Sequence, residues 1–352
     1  MIAKERTMRN HYTISLLAAL SVGLAVAATP APSQAAAWRT CNGSPVIWRG
    51  GTSVHRNRCS IADSGVVNSA YWNAINNWNR LSNVITAFFM NDPSDCSIGH
   101  GDGENEIGLV NRANIDGANG LTILQLGLCF IGSNDIDEAD VMIANDLGFS
   151  PVWGNFLGTT GRSTFVHELG HFYGFDHENA HAVLRTSPPH LVTGGLEPST
   201  NWPSDTIGMS SVYGFSTSRP NLIPSALGVV AGSVQTLDPA TTVAMCRNGT
   251  RTTRVYLGNS GNVGSGTYNL RVRLSTTSPT AGYSGSTIVV SAFTHSIGAF
   301  SEGTFDLGLQ IPSTLPFGTY FIYVDLDYTG SITEILEGDN STVSAMQIRV
   351  SC

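Results

Sequence analysis

The residues best placed to do chemistry lie in one run, His167-Glu168-Leu169-Gly170-His171-Phe172-Tyr173-Gly174-Phe175-Asp176-His177. It fits the pattern H-E-x-x-H-x-x-G-x-x-H. On a helix, positions four apart share a face, so His167 and His171 point the same way and two imidazoles meet one zinc ion. Glu168 lies beside the metal without being needed as a ligand, the place for a base that takes a proton from water. Gly174 lets the helix stop and turn, because a residue without Cβ tolerates positive φ. The turned chain then brings His177 in as third ligand. Three protein ligands leave one coordination position open, as catalytic zinc requires.

Other candidate groups are weaker. His181 and His190 follow closely, but the spacing favours His177. His55, His100 and His295 read as surface residues. The stretch His100-Gly101-Asp102-Gly103-Glu104-Asn105-Glu106 is rich in oxygen donors and is a candidate calcium loop, without the EF-hand pattern. No G-x-S-x-G elbow and no phosphate-cradling glycine loop occurs. Three N-x-S/T sequons, at Asn42, Asn248 and Asn340, matter only in a host that glycosylates.

The elements that must position these groups follow from periodicity. Val67, Ala70, Trp72, Ile75 and Trp78 recur at helical spacing, so residues 66–81 read as an amphipathic helix. Residues 45–49, 85–90, 106–110, 121–130 and 139–144 read as strands. Residues 163–173 read as the metal-bearing helix, with Ser163 or Thr164 as N-cap. From about Arg219 helix signals vanish. Alternating runs recur at 253–257, 268–274, 287–293, 305–309, 320–326 and 343–350, punctuated by Gly, Ser and Pro, which predicts an all-β sandwich. The linker falls at 216–220.

The eleven-residue run resembles that of the metzincins, a clan of zinc peptidases that includes astacins, serralysins and matrixins. The resemblance spans roughly Trp38 to Phe215 and extends to the order of strands and helices. It implies an α+β domain with a twisted mixed sheet of five strands, and an edge strand within residues 121–130 that pairs with substrate by strand addition. It also implies a methionine in a tight turn beneath the metal. Met209 is the candidate, in Ile207-Gly208-Met209-Ser210-Ser211-Val212-Tyr213. Astacins and serralysins place a Tyr two residues after that Met. Here Ser211 stands there, and Tyr213 is the nearest candidate for an oxyanion or cleft role. Glu178 follows the third His as in astacins, where the corresponding Glu meets the mature N-terminus. The matrixin cysteine-switch pattern is absent.

Residues 1–37 read as a secretory signal peptide: a basic start with Lys4, Arg6 and Arg9, an uncharged apolar run from Ile14 to Ala28, then small residues to Ala37. The apolar run is shorter than the roughly 20 residues a spanning helix needs. Cleavage between Ala35 and Trp38 removes three basic residues and one acid, moving the net charge from -8 to -8 - 3 + 1 = -10, and removes Lys4, the sole lysine. An acidic, lysine-free surface argues against nucleic acid and anionic membranes as partners. Six cysteines in an exported chain predict disulfides. Locality favours Cys41–Cys59, Cys96–Cys129 and Cys246–Cys352.

Domain limits are therefore expected at 38–216 for the zinc peptidase domain and 217–352 for the sandwich. Within the latter, Asn259-Ser260-Gly261, Gly318-Thr319-Tyr320, Ile332-Thr333-Glu334 and Glu337-Gly338-Asp339-Asn340 resemble the bacterial cell-adhesion-related domain, an immunoglobulin-like sandwich. That implies a bacterial source and an accessory role in spacing, cell-surface attachment or substrate capture. The functional expectation is a secreted zinc endopeptidase acting on protein or peptide substrates, with one catalytic Zn2+. The alternatives are an exported adhesin or binding protein whose first domain does not catalyse, and a zinc hydrolase of another substrate class.

Overall fold

The structure is a computed structural model of the full chain, and it describes residues 31–32, 37–50, 52–57, 59–81, 87–90, 98–127, 129, 133–149, 161–178, 182–184, 201–215, 217–231, 234–235, 242–276 and 287–352. Strands outnumber helices throughout. The elements, in chain order, begin with β1 (Ala31–Pro32), β2 (Thr40–Cys41), β3 (Ser44–Pro45), β4 (Ser53–Arg56), α1 (Val66–Asn79), β5 (Ala87–Met90) and β6 (Glu106–Val110). They continue with β7 (Gly120–Leu126), β8 (Ile136–Ala144), α2 (Gly161–Phe172) and α3 (Pro203–Tyr213).

Five of these strands form one sheet in the order β5-β4-β6-β8-β7. The pairs among β5, β4, β6 and β8 are parallel, and β7 joins β8 antiparallel at the edge. Parallel strands need crossover connections, and α1 supplies the one between β4 and β5. Ala70, Tyr71, Ala74, Ile75 and Trp78 make the buried stripe of α1, with Trp78 Nε1–H donating to the Val166 carbonyl of α2 at 2.8 Å. Ala139, Val141 and Ile143 of β8 meet Phe165, Val166 and Leu169 of α2 in the same core. The expected strand at 45–49 reduces to β3 and a single bridge from Ile47 to Asp135. Ser163 and Thr164 lie inside α2 and are buried, so neither caps it.

The second half holds β9 (Leu222–Ala231), β10 (Val234–Gln235), β11 (Thr242–Met245), β12 (Thr250–Asn259), β13 (Tyr268–Ser275), β14 (Thr287–His295), β15 (Ser301–Gln310), β16 (Gly318–Leu326) and β17 (Ser341–Val350). They form two sheets, β1-β15-β12-β9-β10 and β11-β17-β16-β13-β14. Between them lies a core of Leu222, Val255, Leu257, Leu270, Val272, Ile322, Val324 and Ile348 among others. The alternation along β13, buried at Tyr268, Leu270, Val272 and Leu274, is the period-two pattern of a half-buried strand. Trp202, at the start of α3, is packed in this second core, where its ring lies against Gly258.

Two disulfides are described, Cys41–Cys129 and Cys246–Cys352. The second matches the expected pair. The first overturns both other local pairings, because Cys41 is brought to Cys129 by the hairpin β2–β3 lying against the segment before β8: Ile47 N–H donates to Asn134 O, and Ile136 N–H to Ile47 O. Sequence separation was a poor guide where strands align distant segments. Cys59 is disulfide-bonded; Cys96 lies outside the described residues. These cross-links fit an extracellular setting. Among the described residues, no helix is long and apolar enough to cross a membrane.

Candidate metal centre

His167 and His171 lie on the last two turns of α2, one helical turn apart on one face, and His177 follows beyond a turn. Gly174 makes that turn at φ +96°, and a Cβ there would lie 2.3 Å from the Val46 carbonyl oxygen. Only glycine fits. Phe175 N–H then donates to Gly170 O, and Asp176 N–H to Ala37 O, which fixes the path to His177.

The three imidazoles converge. The Nε2 atoms are separated by 3.1 Å (His167–His177), 3.2 Å (His167–His171) and 3.1 Å (His171–His177). Outward of these, His167 Nδ1 lies 2.6 Å from Val183 O, and His171 Nδ1 lies 2.9 Å from Phe175 O. A carbonyl oxygen only accepts, so the hydrogen-bond network assigns the ring proton of both residues to Nδ1 and leaves Nε2 as a bare lone pair. A proton on His177 Nε2 can serve one neighbour. The His167–His171 edge then remains two acceptors facing each other at 3.2 Å. A cation bound by all three relieves that repulsion. Zinc arms of about 2.0–2.1 Å in a tetrahedron imply ligand–ligand edges of roughly 3.3–3.4 Å, close to what is seen. The residues therefore fit a zinc ion. Burial depresses the basicity of two rings, holding His167 at about 4 and His171 at about 3, and burial also lowers His177. Neutral imidazole is the form a metal takes.

Glu168 is buried, and its carboxylate turns toward the edge strand. The Thr122 hydroxyl of β7 lies 2.7 Å from Glu168 Oε2 and 2.9 Å from the Glu168 carbonyl. Burial raises the carboxyl to about 7, opposed by the Thr122 hydrogen bond and then by the Arg39 charge. Gly120 makes room for it: a Cβ there would lie 2.6 Å from Glu168 Cγ. Arg39, Gly120, Thr122 and the Val183 carbonyl had no sequence signal of their own. They join the site through β7, the loop after α2 and, for Arg39, the segment just before β2.

The other expected site residues separate. Met209 is fully buried in the core that also contains Phe172 and Tyr213. It sits within α3, not in a tight turn, because Pro203 opens a helix that runs unbroken to Tyr213 and closes at Gly214. Tyr213, the candidate for an oxyanion or cleft role, turns its hydroxyl into the core: it donates to Tyr173 O at 2.9 Å and accepts the Trp48 N–H at 3.1 Å. Glu178 is buried, with the Ser204 hydroxyl 2.9 Å from both carboxylate oxygens and the Ala37 backbone N–H donating to it. Burial, then Glu302, shapes its raised pKa. His181 and His190 lie outside the described residues. His295 is half-buried and packs against Phe305 at 4.0 Å and Tyr268 at 5.7 Å between ring centroids. His100 is not isolated either. It lies beside two buried carboxylates, Glu138 and Asp140. In the expected calcium loop itself, Asp102 and Glu104 are exposed and only Glu106 is buried.

No protein-family model matches the chain, and no curated protein matches it at a significant level. Solved structures that match include CARDB domains. One is a CARDB domain from Pyrococcus furiosus crystallised in complex with di-metal ions, at 17% identity, covering 38% of this chain and 96% of that one with a TM-score of 0.27. The solution structure of a CARDB domain from the same organism matches at 18% identity, 38% and 97% coverage and a TM-score of 0.26. The sporulation control protein Spo0M of Bacillus subtilis matches at 14% identity, 39% and 51% coverage and a TM-score of 0.24. Likeness at this level identifies no activity.

Proposed function

We propose that the chain is an exported zinc-dependent endopeptidase of the metzincin type, with His167, His171 and His177 holding the metal and Glu168 as general base. The observation that carries this reading is the set of three Nε2 atoms 3.1–3.2 Å apart, with a carbonyl behind two of the rings that accepts the Nδ1–H and so favours the tautomer bare at Nε2. When bound, zinc supplies a Lewis acid that polarises the scissile carbonyl and lowers the pKa of a water molecule towards 7.

The chain's own residues do the rest. Glu168 accepts a proton at its carboxylate during attack and delivers it to the leaving amine. Its high pKa suits both roles at neutral pH. Thr122 holds Oε2, so the carboxylate has one orientation. Among the described residues no strand pairs with the outer side of the edge strand β7, where an extended peptide would add as a sixth strand through backbone hydrogen bonds that do not depend on sequence. Burial of Glu168 keeps bulk water from it.

The test is casein hydrolysis, with and without a chelator, for wild type and Glu168→Ala, alongside metal content. Glu168→Ala should keep the metal at the three histidines and lose about 100-fold to 10,000-fold in rate. Wild-type rates in that variant would overturn the assignment. A second reading has the chain as an exported adhesin or binding protein. It is favoured by the size of the two-sheet sandwich, which has a core of its own. A protein that binds zinc and never cleaves casein, gelatin or shorter peptides would select it. The sandwich is assigned spacing, surface attachment or substrate capture under either reading.

A further inference from the structure

Along β8 the side chains alternate. Ala139, Val141 and Ile143 enter the core against α2. Glu138 and Asp140 therefore face the other side of the sheet, and both are buried, at 2% and 0% exposure. Two carboxylates under a central strand are costly unless something compensates them. The loop before β6 supplies part. Gly101 N–H donates to Glu138 Oε1, Gly103 N–H to Glu138 Oε2 at 2.6 Å, and Glu106 N–H to Asp140 Oδ1 at 3.2 Å. Glu106, itself buried, takes the Gly99 N–H. Asp140 Oδ2 is left: it is wholly buried, and with both carboxylates ionised it has no hydrogen-bond partner; only a proton on Asp140 would let it bond to Glu138. What faces it is His100 Nδ1, at 3.5 Å, which also lies 3.8 Å from Glu138 Oε1.

Those separations are too long for good hydrogen bonds, which fall near 2.7–3.2 Å. They are close to the roughly 3.3–3.4 Å edges expected between co-ligands of a tetrahedral ion with arms of about 2.0–2.1 Å. The three ligand atoms all lie within 4.8 Å of one another. We propose that His100 Nδ1, Glu138 Oε1 and Asp140 Oδ2 form a second, structural divalent-metal site of the zinc class, on the opposite face of the sheet from α2. The donor set selects the metal. Calcium takes six to eight oxygens, whereas an imidazole with two carboxylates suits zinc and its neighbours. The oxygen-rich loop read as a calcium candidate contributes its histidine, and β8 contributes the acids.

The charge balance agrees. Without a cation, burial raises Asp140 to about 8, and the charges of Glu138 and Glu106 raise it further, while backbone hydrogen bonds offset burial at Glu138 and keep it low. The alternative to a metal is thus a neutral Asp140 sharing a proton with Glu138. The two states differ in what they need: one needs zinc, the other only the proton that a carboxyl raised to about 8 keeps at neutral pH. The metal would pin the loop 98–105 onto β8, next to the edge strand β7.

The full secreted chain is equilibrated with zinc chloride, passed over a desalting column and assayed for metal content and thermal midpoint. The expected result is two zinc ions per chain in wild type and one in His171→Ala/His177→Ala. That variant should gain in Tm on adding zinc and lose the gain with a chelator. His100→Ala, at an exposed side chain, should weaken retention of this second ion by about 10-fold to 100-fold, and Asp140→Asn should abolish it. One zinc per chain in wild type, lost entirely in His171→Ala/His177→Ala, with a Tm indifferent to zinc, would overturn the proposal. One zinc per chain lost only in His100→Ala and Asp140→Asn would instead uphold it and sink the peptidase reading, so the two stand or fall separately.

Discussion

Thr122 on the edge strand β7 holds the carboxylate of Glu168 on α2, hydroxyl to Oε2 at 2.7 Å. The hydrogen bond favours the ionised carboxylate and so works against the burial that raises its pKa. In the proposed mechanism Glu168 is the base, so activity should be present above its pKa and fall as pH drops through it. Thr122→Val removes the donor. The acid limb of kcat/KM should move upward by about half a unit to one unit, the size that a hydrogen bond of about 1 kcal/mol supports. An unmoved limb would mean that Thr122 only packs.

Gly120→Ala probes the same carboxylate by shape. The new Cβ would lie 2.6 Å from Glu168 Cγ and 2.7 Å from Oε1, so the side chain must turn away. Activity should fall at least 10-fold while zinc content and fold, read by circular dichroism, persist. Gly174→Ala is the contrasting case. Its φ of +96° and a Cβ 2.3 Å from the backbone oxygen of Val46 strain the chain itself. Both Tm and zinc affinity should drop together, since the turn that delivers His177 is displaced.

Acid should release zinc late. Free histidine titrates near 6.5, but burial places His167 at about 4 and His171 at about 3. Protons compete with the metal only where they can bind. Because folded-state values are depressed, neutral-ring stability is present above about 6.5 and is lost as pH falls towards 4 and 3. Metal content measured after dialysis across pH 7 to 3 should therefore fall below pH 6, together with folding. Complete loss at pH 6.5 in a folded chain would refute this.

Tyr213→Phe separates structure from catalysis. The hydroxyl bridges Tyr173 O and Trp48 N–H in the core, and its loss leaves both without that partner. Stability should fall by about 1–3 kcal/mol. The rate per folded molecule should be unchanged, because the proton never faces the metal centre. A large kcat loss with an unchanged Tm would restore the oxyanion role implied by resemblance.

What could be read beforehand follows the range of each interaction. The spacing of His167, His171 and His177 is local geometry, as is the stripe Ala70–Ile75–Trp78 of α1, and both are legible in a window of a dozen residues. The strands of the sandwich carry alternation in the chain itself. By contrast, β4 is Ser-Val-His-Arg and has no apolar alternation; it is a strand because two neighbours pair with it. The Cys41–Cys129 pairing, the Thr122–Glu168 contact and the meeting of His100 with Asp140 join segments 88, 46 and 40 residues apart by their numbering. No spacing rule reaches that far. Met209 shows the opposite limit: a resemblance implied a turn, but Pro203 and the uninterrupted sequence after it favour a helix, and the local preference prevailed.

Glu178 and Ala37 bear on maturation. The Ala37 backbone N–H donates to a buried carboxylate that, among the described residues, also takes the Ser204 hydroxyl and lies near the negative charge of Glu302. An amide supplies no charge there. Cleavage between Ala36 and Ala37 would replace that amide by an ammonium group at the same place, which would hold Glu178 ionised and offset its burial. The secreted protein should begin at Ala37 by N-terminal sequencing. Glu178→Gln should lower the Tm of that protein, yet leave the Tm of a chain still carrying residues 31–36 nearly unchanged, because an amide partner serves glutamine as well as glutamate. A mature start near Thr29, or equal Tm losses in both forms, would show that no ammonium group pairs with Glu178.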